Sequence, residues 1–386
     1  FVSAMQVASA VLAVQAQGSV GWPRCLPHLD HSLLRHSEQM SIFLLGLSIA
    51  ILGVEVSSQQ DGHWVRVSGT DGNLVQLSWP TSTIGWAVGE VSFKTTDGGL
   101  TWAENSQSGA LSHIHFLSTD TEVGLAVKQD YQSMIITIDG GTTWNAWSMW
   151  VSDGRRLHSL WFTSGARGFA VGAEGLFRVT EDGGLSWGEV TLPSGMSDVE
   201  WSAISFNPSG AGWAVGSAGK VVRTIDEGNA WTDVSIGSNS LWQDLYVSSS
   251  TRAWVVGPGG RVYQTSTGGA TWGENSRWTT PSGDGFVPLR AVWFLNTNAG
   301  WLGGDGFVAK TTDGGATWTI LVVTPSVRFA GFYFTSATAG WAATGNGVMK
   351  WVPPPTTTAS TITQTSTTTP TSRTTPTSTT TPTSTT

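Results

Sequence analysis

Along residues 60–352, apolar residues come in short runs that either alternate with polar ones or stay apolar, and each run stops at a polar or glycine turn. Seven of these runs open a repeating unit: LVQLSW (74–79), LSHIHFL (111–117), LHSLWF (157–162), WSAISF (201–206), LWQDLYV (241–247), LRAVWFL (289–295) and RFAGFYF (328–334). Their aromatic and β-branched content, with a period of two where they alternate, predicts β-strands. A second run of the GWAVG type follows each, beginning at Gly85, Gly124, Gly168, Gly212, Ala253, Gly300 and Gly340. A glycine turn then leads to a third strand, such as VVRT (221–224) or FVAKT (307–311). Helical repeats of similar length would need a sustained 3.6-residue amphipathic period, whereas these segments are short, Gly-punctuated and rich in Trp and Val.

The turn into the fourth strand is the most regular feature. It reads TTDGGLTW (95–102), TIDGGTTW (137–144), TEDGGLSW (180–187) and TTDGGATW (311–318), with altered copies TIDEGNAW (224–231) and TSTGGATW (265–272). The closing tryptophans Trp102, Trp144, Trp187, Trp231, Trp272 and Trp318 lie 42, 43, 44, 41 and 46 residues apart. Four antiparallel strands per period of this length predict the blade of a β-propeller. Seven first strands but six such turns leave one blade a strand short. Residues 63–67, after Asp61-Gly62, supply it by pairing with residues 345–351 and closing the ring. Closure removes two open sheet edges. The expected fold is therefore all-β: a seven-bladed β-propeller of four-stranded antiparallel blades, closed by an N-terminal strand.

In this turn the carboxylate of Asp97, Asp139, Asp182, Asp226 or Asp313 accepts turn N–H groups in the manner of an Asx-turn. The first Gly suits a left-handed position, and the Trp buries its indole between neighbouring blades. Calcium needs several oxygen ligands converging on one point, which one Asp per blade does not give. The turn thus reads as a structural hairpin. In the copy with Thr267 in place of Asp, the blade should still form, with a looser turn.

The ends differ from the core. Residues 1–58 read as a leader, with an uncharged targeting segment at 41–54 whose length suits a signal-peptide core; a single-pass anchor is the alternative. Residues 353–386 are almost wholly Thr, Ser and Pro and read as a disordered tail, either an O-glycosylated stalk or a plain linker. Charged residues make up 12% of the chain and the net charge is −8. With no basic run, a nucleic-acid partner is not expected. The one cysteine, Cys25, lies in the leader, so the core carries no disulfide.

No cofactor or metal is expected. His113 and His115 alternate on one strand and share a face, but without an evident third ligand they read as strand packing. GPGGRV at Gly257 lacks the helix of a phosphate loop. A sialidase would need an arginine cluster and a Tyr nucleophile paired with Glu, and none of Tyr131, Tyr246, Tyr263 and Tyr333 lies in a recognisable catalytic context.

The Ser/Thr-x-Asp-x-Gly-x-Thr/Ser-Trp turn resembles the Asp box, or BNR repeat, of sialidases, other glycoside hydrolases and sortilin-type receptors. Paired with GWAVG, and spanning about residues 60–352, it most resembles the photosystem II stability/assembly factor family. That resemblance implies a non-catalytic seven-bladed propeller, in the thylakoid lumen of the plastid, binding newly made reaction-centre protein during photosynthetic assembly. It also implies a basic binding surface. Lys94, Arg223 and Lys310 stand three residues before the box Asp, with Gln264 at the same place in the Thr267 repeat and Lys350 as counterpart in the last repeat. With the loop pair Arg155 and Arg156 they are the candidate contacts for a protein partner, expected to be a photosystem II reaction-centre subunit held at a membrane; solubilising charge is the competing reading. A monomer is expected. A secreted BNR protein, either an adhesion module or a sialidase-like glycosidase, is the alternative, and the Thr-rich tail favours an extracellular site.

Overall fold

The structure, a computed structural model, describes residues 62–117, 122–147, 154–278 and 287–354. The leader at 1–58, Asp61 and the tail beyond Pro354 lie outside the described residues. Among the described residues no helix is long and apolar enough to cross a membrane.

Among the described residues all regular structure is β apart from two 3₁₀ turns. After β1 (His63–Arg66), four strands make the first four-stranded antiparallel sheet: β2 (Leu74–Ser78), β3 (Gly85–Gly89), β4 (Ser92–Thr95) and β5 (Ala103–Glu104). The second is β6 (Leu111–Phe116), β7 (Gly124–Lys128), β8 (Met134–Thr137) and β9 (Asn145–Ala146); the third is β10 (Leu157–Phe162), β11 (Gly168–Gly172), β12 (Phe177–Thr180) and β13 (Gly188–Glu189). The fourth comprises β14 (Trp201–Phe206), β15 (Gly212–Gly216), β16 (Val221–Thr224) and β17 (Thr232–Asp233), and the fifth β18 (Asp244–Val247), β19 (Ala253–Gly257), β20 (Arg261–Thr265) and β21 (Gly273–Arg277). These are four-stranded propeller blades in the strand order that the repeat predicts.

The remaining strands depart from the expectation of seven separate blades. β22 (Leu289–Phe294), β23 (Gly300–Thr311), β24 (Thr319–Ser336), β25 (Ala339–Thr344) and β26 (Gly347–Val352) join β1 in one six-stranded sheet, ordered β1-β26-β25-β24-β23-β22. Among the described residues the count is thus five four-stranded blades and one six-stranded sheet, which corrects the count of seven. The reason lies in the connection. Elsewhere a glycine-bearing loop, such as LPSGMSD before β14, reverses the chain between repeats. The β-branched run TILVVTPSVRF has no glycine, so the backbone stays extended through β24. The first part of β24 pairs with β23, and from Phe329 onward it pairs with β25. At the other edge β1 pairs with β26 in the register His63↔Val352, Trp64↔Trp351, Val65↔Lys350 and Arg66↔Met349, at the end of the 345–351 segment expected and one residue beyond it.

The core lies between sheets. Every residue of the GWAVG strands β3 and β15 is buried, and Trp86, Trp213, Trp254 and Trp301 on the second strands have no exposed surface. Each such indole removes roughly 150–250 Å² from water, about 4–6 kcal/mol gross. The apolar clusters mix residues of successive sheets: Phe169 and Val171 of β11 pack with Trp201, Ile204 and Phe206 of β14.

Candidate functional site

The six turns between third and fourth strands are built alike. In the first, the Gly99 N–H donates to Thr95 Oγ1 (2.9 Å), and the Thr95 hydroxyl donates to Asp97 Oδ1 (2.8 Å). The N–H groups of Leu100 and Thr101 donate to Asp97 Oδ1 (3.0 and 2.9 Å), and the Thr101 hydroxyl to Asp97 Oδ2 (2.5 Å). The N–H and hydroxyl bonds of the Thr101 type recur at Asp139, Asp182 and Asp313. Hydrogen bonds to the charged form hold these carboxyls down at about 2, and Asp97 and Asp226 are lowered as well. At Thr267 the hydroxyl takes the place of the carboxylate, accepting the Thr271 N–H (2.9 Å) and bonding its hydroxyl (2.9 Å), and the blade forms.

Each box is seated on the preceding sheet. Gly141 has φ +83°, and a Cβ there would land on the Trp86 ring; Gly228, at φ +85°, faces Phe169 in the same way. Trp144 meets Trp86 edge-on at 5.8 Å, Trp231 meets Phe169 at 5.9 Å, and Trp272 meets Trp213 at 5.7 Å. Trp102, Trp187 and Trp318 make edge contacts with Trp79, Phe162 and Phe294. Of the six closing tryptophans only Trp231 is buried; the others are half-buried, so the indole seals the rim rather than filling the core.

The cations expected on a binding face engage this seam. Lys94 Nζ lies 5.5 Å from the centre of the Trp86 ring and donates to Gly140 O of the next box (2.6 Å). Arg223 lies 5.5 Å from Trp213 and donates to Gly268 O (3.3 Å). Lys310 lies 5.6 Å from Trp301. Two arginines that the sequence reading did not single out do the same from the start of the second strand. Arg167 lies over Phe169, donates to Glu227 O (2.8 Å) and pairs with Glu181 (2.5 Å); Arg252 lies over Trp254 at 5.0 Å. The third-strand residue is Val179 or Gln264 in those two repeats, so one cation per aromatic is kept from either of two positions. That substitution is what hides the pattern from a single-column reading. The opposite ends of the strands carry Arg155 and Arg156: Arg155 donates to Glu174 O (3.3 Å) with Glu189 at 3.7 Å, and Arg156 is exposed. Lys350 sits mid-strand in β26 opposite Trp341 and Val65.

The first strands carry a second set of links. In several of them a side chain reaches the backbone of the next first strand: Gln76 Oε1 accepts from Ile114 N–H (2.7 Å), Ser159 Oγ from Ile204 N–H (3.4 Å), and Asp244 Oδ2 from Val292 N–H (2.9 Å). His113 Nε2 lies 3.0 Å from Leu160 O, and His115 Nε2 accepts the Phe162 N–H (3.3 Å). Burial lowers His113 to about 4 and His115 to about 3, and raises Asp244 to about 7 against its two backbone bonds. Both histidines thus face backbone. No group of three or more His, Cys, Asp or Glu converges as a metal site among the described residues. Asp244 was legible, as the one acid within the seven first-strand runs, and was missed because the box aspartates drew attention.

One Tyr–Glu pair emerges that the sequence did not reveal. Tyr263 donates to Glu274 Oε2 (3.0 Å) on the outer strands β20 and β21. Burial and then the Glu274 carboxylate raise the phenol, which disfavours the phenolate that a nucleophile needs.

A family model described as photosynthesis system II assembly factor YCF48 matches residues 147–242. No curated relative matches the chain. A solved structure of YCF48 bound to D1 peptide is similar with a TM-score of 0.60 at 20% identity, covering 75% of this chain and 96% of that one. YCF48 from Cyanidioschyzon merolae gives 0.60 at 18%, covering 75% and 98%. A GH74 xyloglucanase from Xanthomonas campestris gives 0.61 at 12%, covering 74% of this chain and 53% of the enzyme. The chain thus resembles the photosystem II assembly factor family in the sequence of residues 147–242, and the solved structures match its propeller fold.

Proposed function

We propose that this chain is a non-catalytic, protein-binding propeller that acts as scaffold or chaperone for reaction-centre protein during photosystem II assembly. The observation that carries the reading is the match of residues 147–242 to the YCF48 family model, set in blades of the same architecture. The partner is a photosystem II reaction-centre subunit, by analogy with the D1 peptide on the similar structure. The compartment is the thylakoid lumen, reached through the leader at 1–58; residues 60–352 are the binding module and 353–386 a tail. The propeller acts as a closed ring. Closure is supported by the β1–β26 pairing, by Trp341 Nε1 donating to Gly99 O (3.3 Å), and by Tyr333 stacked on Trp79 at 5.3 Å. Exposed Arg156, with Arg155 and Lys350, makes the partner contact, and Lys94, Arg223 and Lys310 support it from the seam between sheets.

A fluorescently labelled D1 peptide titrated with the full chain tests this. Saturable binding, weakened by Arg155→Glu with Arg156→Glu, is expected. No binding at any accessible concentration sinks the reading.

A secreted glycosidase is the second reading; it rests on Tyr263 hydrogen-bonded to Glu274, and the raised phenol counts against it. Turnover of a fluorogenic glycoside panel that Tyr263→Phe abolishes would establish it. A tag placed after residue 352 separates plastid from cell exterior.

A further inference from the structure

Seven large apolar side chains are exposed among the described residues, and four of them sit on the box turns: Leu100 (68%), Ile138 (66%), Leu185 (51%) and Ile225 (65%). These turns belong to neighbouring blades. Lys94 of the first blade donates to Gly140 O in the second box, Trp147 Nε1 donates to Gly184 O in the third (2.9 Å), and Arg167 donates to Glu227 O in the fourth. Each turn is also docked on a loop of its own blade, through Gly98 N to Thr83 O, Gly140 N to Glu122 O, Gly183 N to Ala166 O and Glu227 N to Gly210 O. The four side chains therefore project from one rim along four consecutive blades.

The fold does not require them. The fifth and sixth turns carry Ser266 with Ala270 and Thr312 with Ala316 at the same two positions, and they form the same hairpin. The apolar arc stops at the fourth blade. Its charge is net acidic as well. Asp97, Asp139, Asp182 and Asp226 are held ionised, Glu122 and Glu227 lie beside them and are exposed, and Glu181 is paired with Arg167. The neighbouring cations Lys94, Arg167 and Arg223 are turned onto box carbonyls and ring faces. Large apolar side chains repeated along one rim offer a partner a row of separate anchors, and the surrounding charge selects that partner.

We propose that this arc docks a basic, apolar-faced protein segment: an amphipathic peptide whose apolar side chains meet Leu100, Ile138, Leu185 and Ile225 and whose Lys or Arg residues meet the box-rim carboxylates. A second copy of the acidic rim would be repelled, as would an anionic lipid surface. The surface lies on the box end of the blades, apart from Arg155 and Arg156, and it stands whether or not the D1 titration succeeds.

The test uses the full chain and a labelled synthetic amphipathic Leu/Lys helix, with anisotropy as the readout. Binding should be saturable, weaken as salt rises, and drop roughly tenfold or more in the Leu100→Thr, Ile138→Thr, Leu185→Thr, Ile225→Thr variant. These changes bring the turns toward the small and polar composition of the fifth and sixth, so tryptophan emission should be unchanged. A Leu100→Thr, Ile138→Thr double variant gives an intermediate loss and serves if the quadruple variant is unstable. The proposal is overturned if the variants bind as tightly as the parent, or if a Leu/Glu helix binds equally well. It is also overturned if arc-dependent binding is seen only to phosphatidylcholine vesicles or only to a second copy of the chain.

Discussion

The box rim and the first strands use one chemical group in opposite ways. On the rim, Asp139 keeps its carboxylate in water and receives N–H and hydroxyl donors, which pull it down to about 2. On the inner edge, Asp244 also receives two backbone N–H groups, yet desolvation outweighs them and lifts it to about 7. Hydrogen bonds alone therefore do not fix the sign of the shift; the surrounding dielectric does. The rim repeats one solution at every blade. The inner edge solves the same need, linking one first strand to the next, with Gln76, His113, Ser159 and Asp244 in turn.

The largest effect should come from breaking the seat of a box. Gly141→Ala drives a Cβ into the Trp86 ring at a left-handed φ, and should cost about 3 kcal/mol in urea unfolding. Gly184→Ala meets Leu125 at 3.4 Å and should cost only about 1 kcal/mol, the left-handed penalty alone. Equal costs would mean that the aromatic seat is irrelevant. Thr95→Val and Thr265→Val each strip the acceptor from a buried Gly N–H, at about 1–3 kcal/mol. If the Asp rather than the Thr anchors the turn, the intact repeat should tolerate the change and the Thr267 repeat should not.

The pH profile separates the two regions directly. The box aspartates, depressed to about 2, contribute stability that is present above about pH 4 and lost as pH falls toward 2. Asp244, raised to about 7, contributes in the other sense: its share is full below about pH 4 and is lost as pH rises through 7. Asp244→Asn should flatten the decline of the thermal-midpoint profile between about pH 4 and 7 and leave the limb below pH 4 intact. His113 and His115 are held neutral, so their share is full above about pH 6.5 and falls toward pH 4; His113→Gln, the residue at position 76 of the first repeat, should shrink that limb. The smallest effect is expected for Thr267→Asp, which should raise the urea midpoint at pH 7 and give no gain near pH 2.

Much of this was written locally. The six turns, the GWAVG strands and the pairing of residues 63–67 with the last strand could be read because each depends on neighbours within the repeat or on a count of strands. The role of the cations was not legible. Their spacing from the box Asp suggested a binding or solubilising surface, whereas Lys94 and Arg223 lie against aromatic rings of their own blade and donate to carbonyls of the next. Arg167 and Arg252 escaped notice because they serve the same seam from a different strand.

By itself the sequence determined the repeat, its strands and the chemistry of its turns, since period-two alternation, Asx-turn donors and left-handed glycines act within a few residues. Only the tertiary structure decided what lies between blades. It joined the last strands into one six-stranded sheet through an unbroken β24, set a second-strand aromatic against the next box, and drew Asp244 and His113 out of water in opposite directions. Each of these depends on residues far apart in the chain becoming neighbours, where packing and desolvation act and a local pattern carries no record of them.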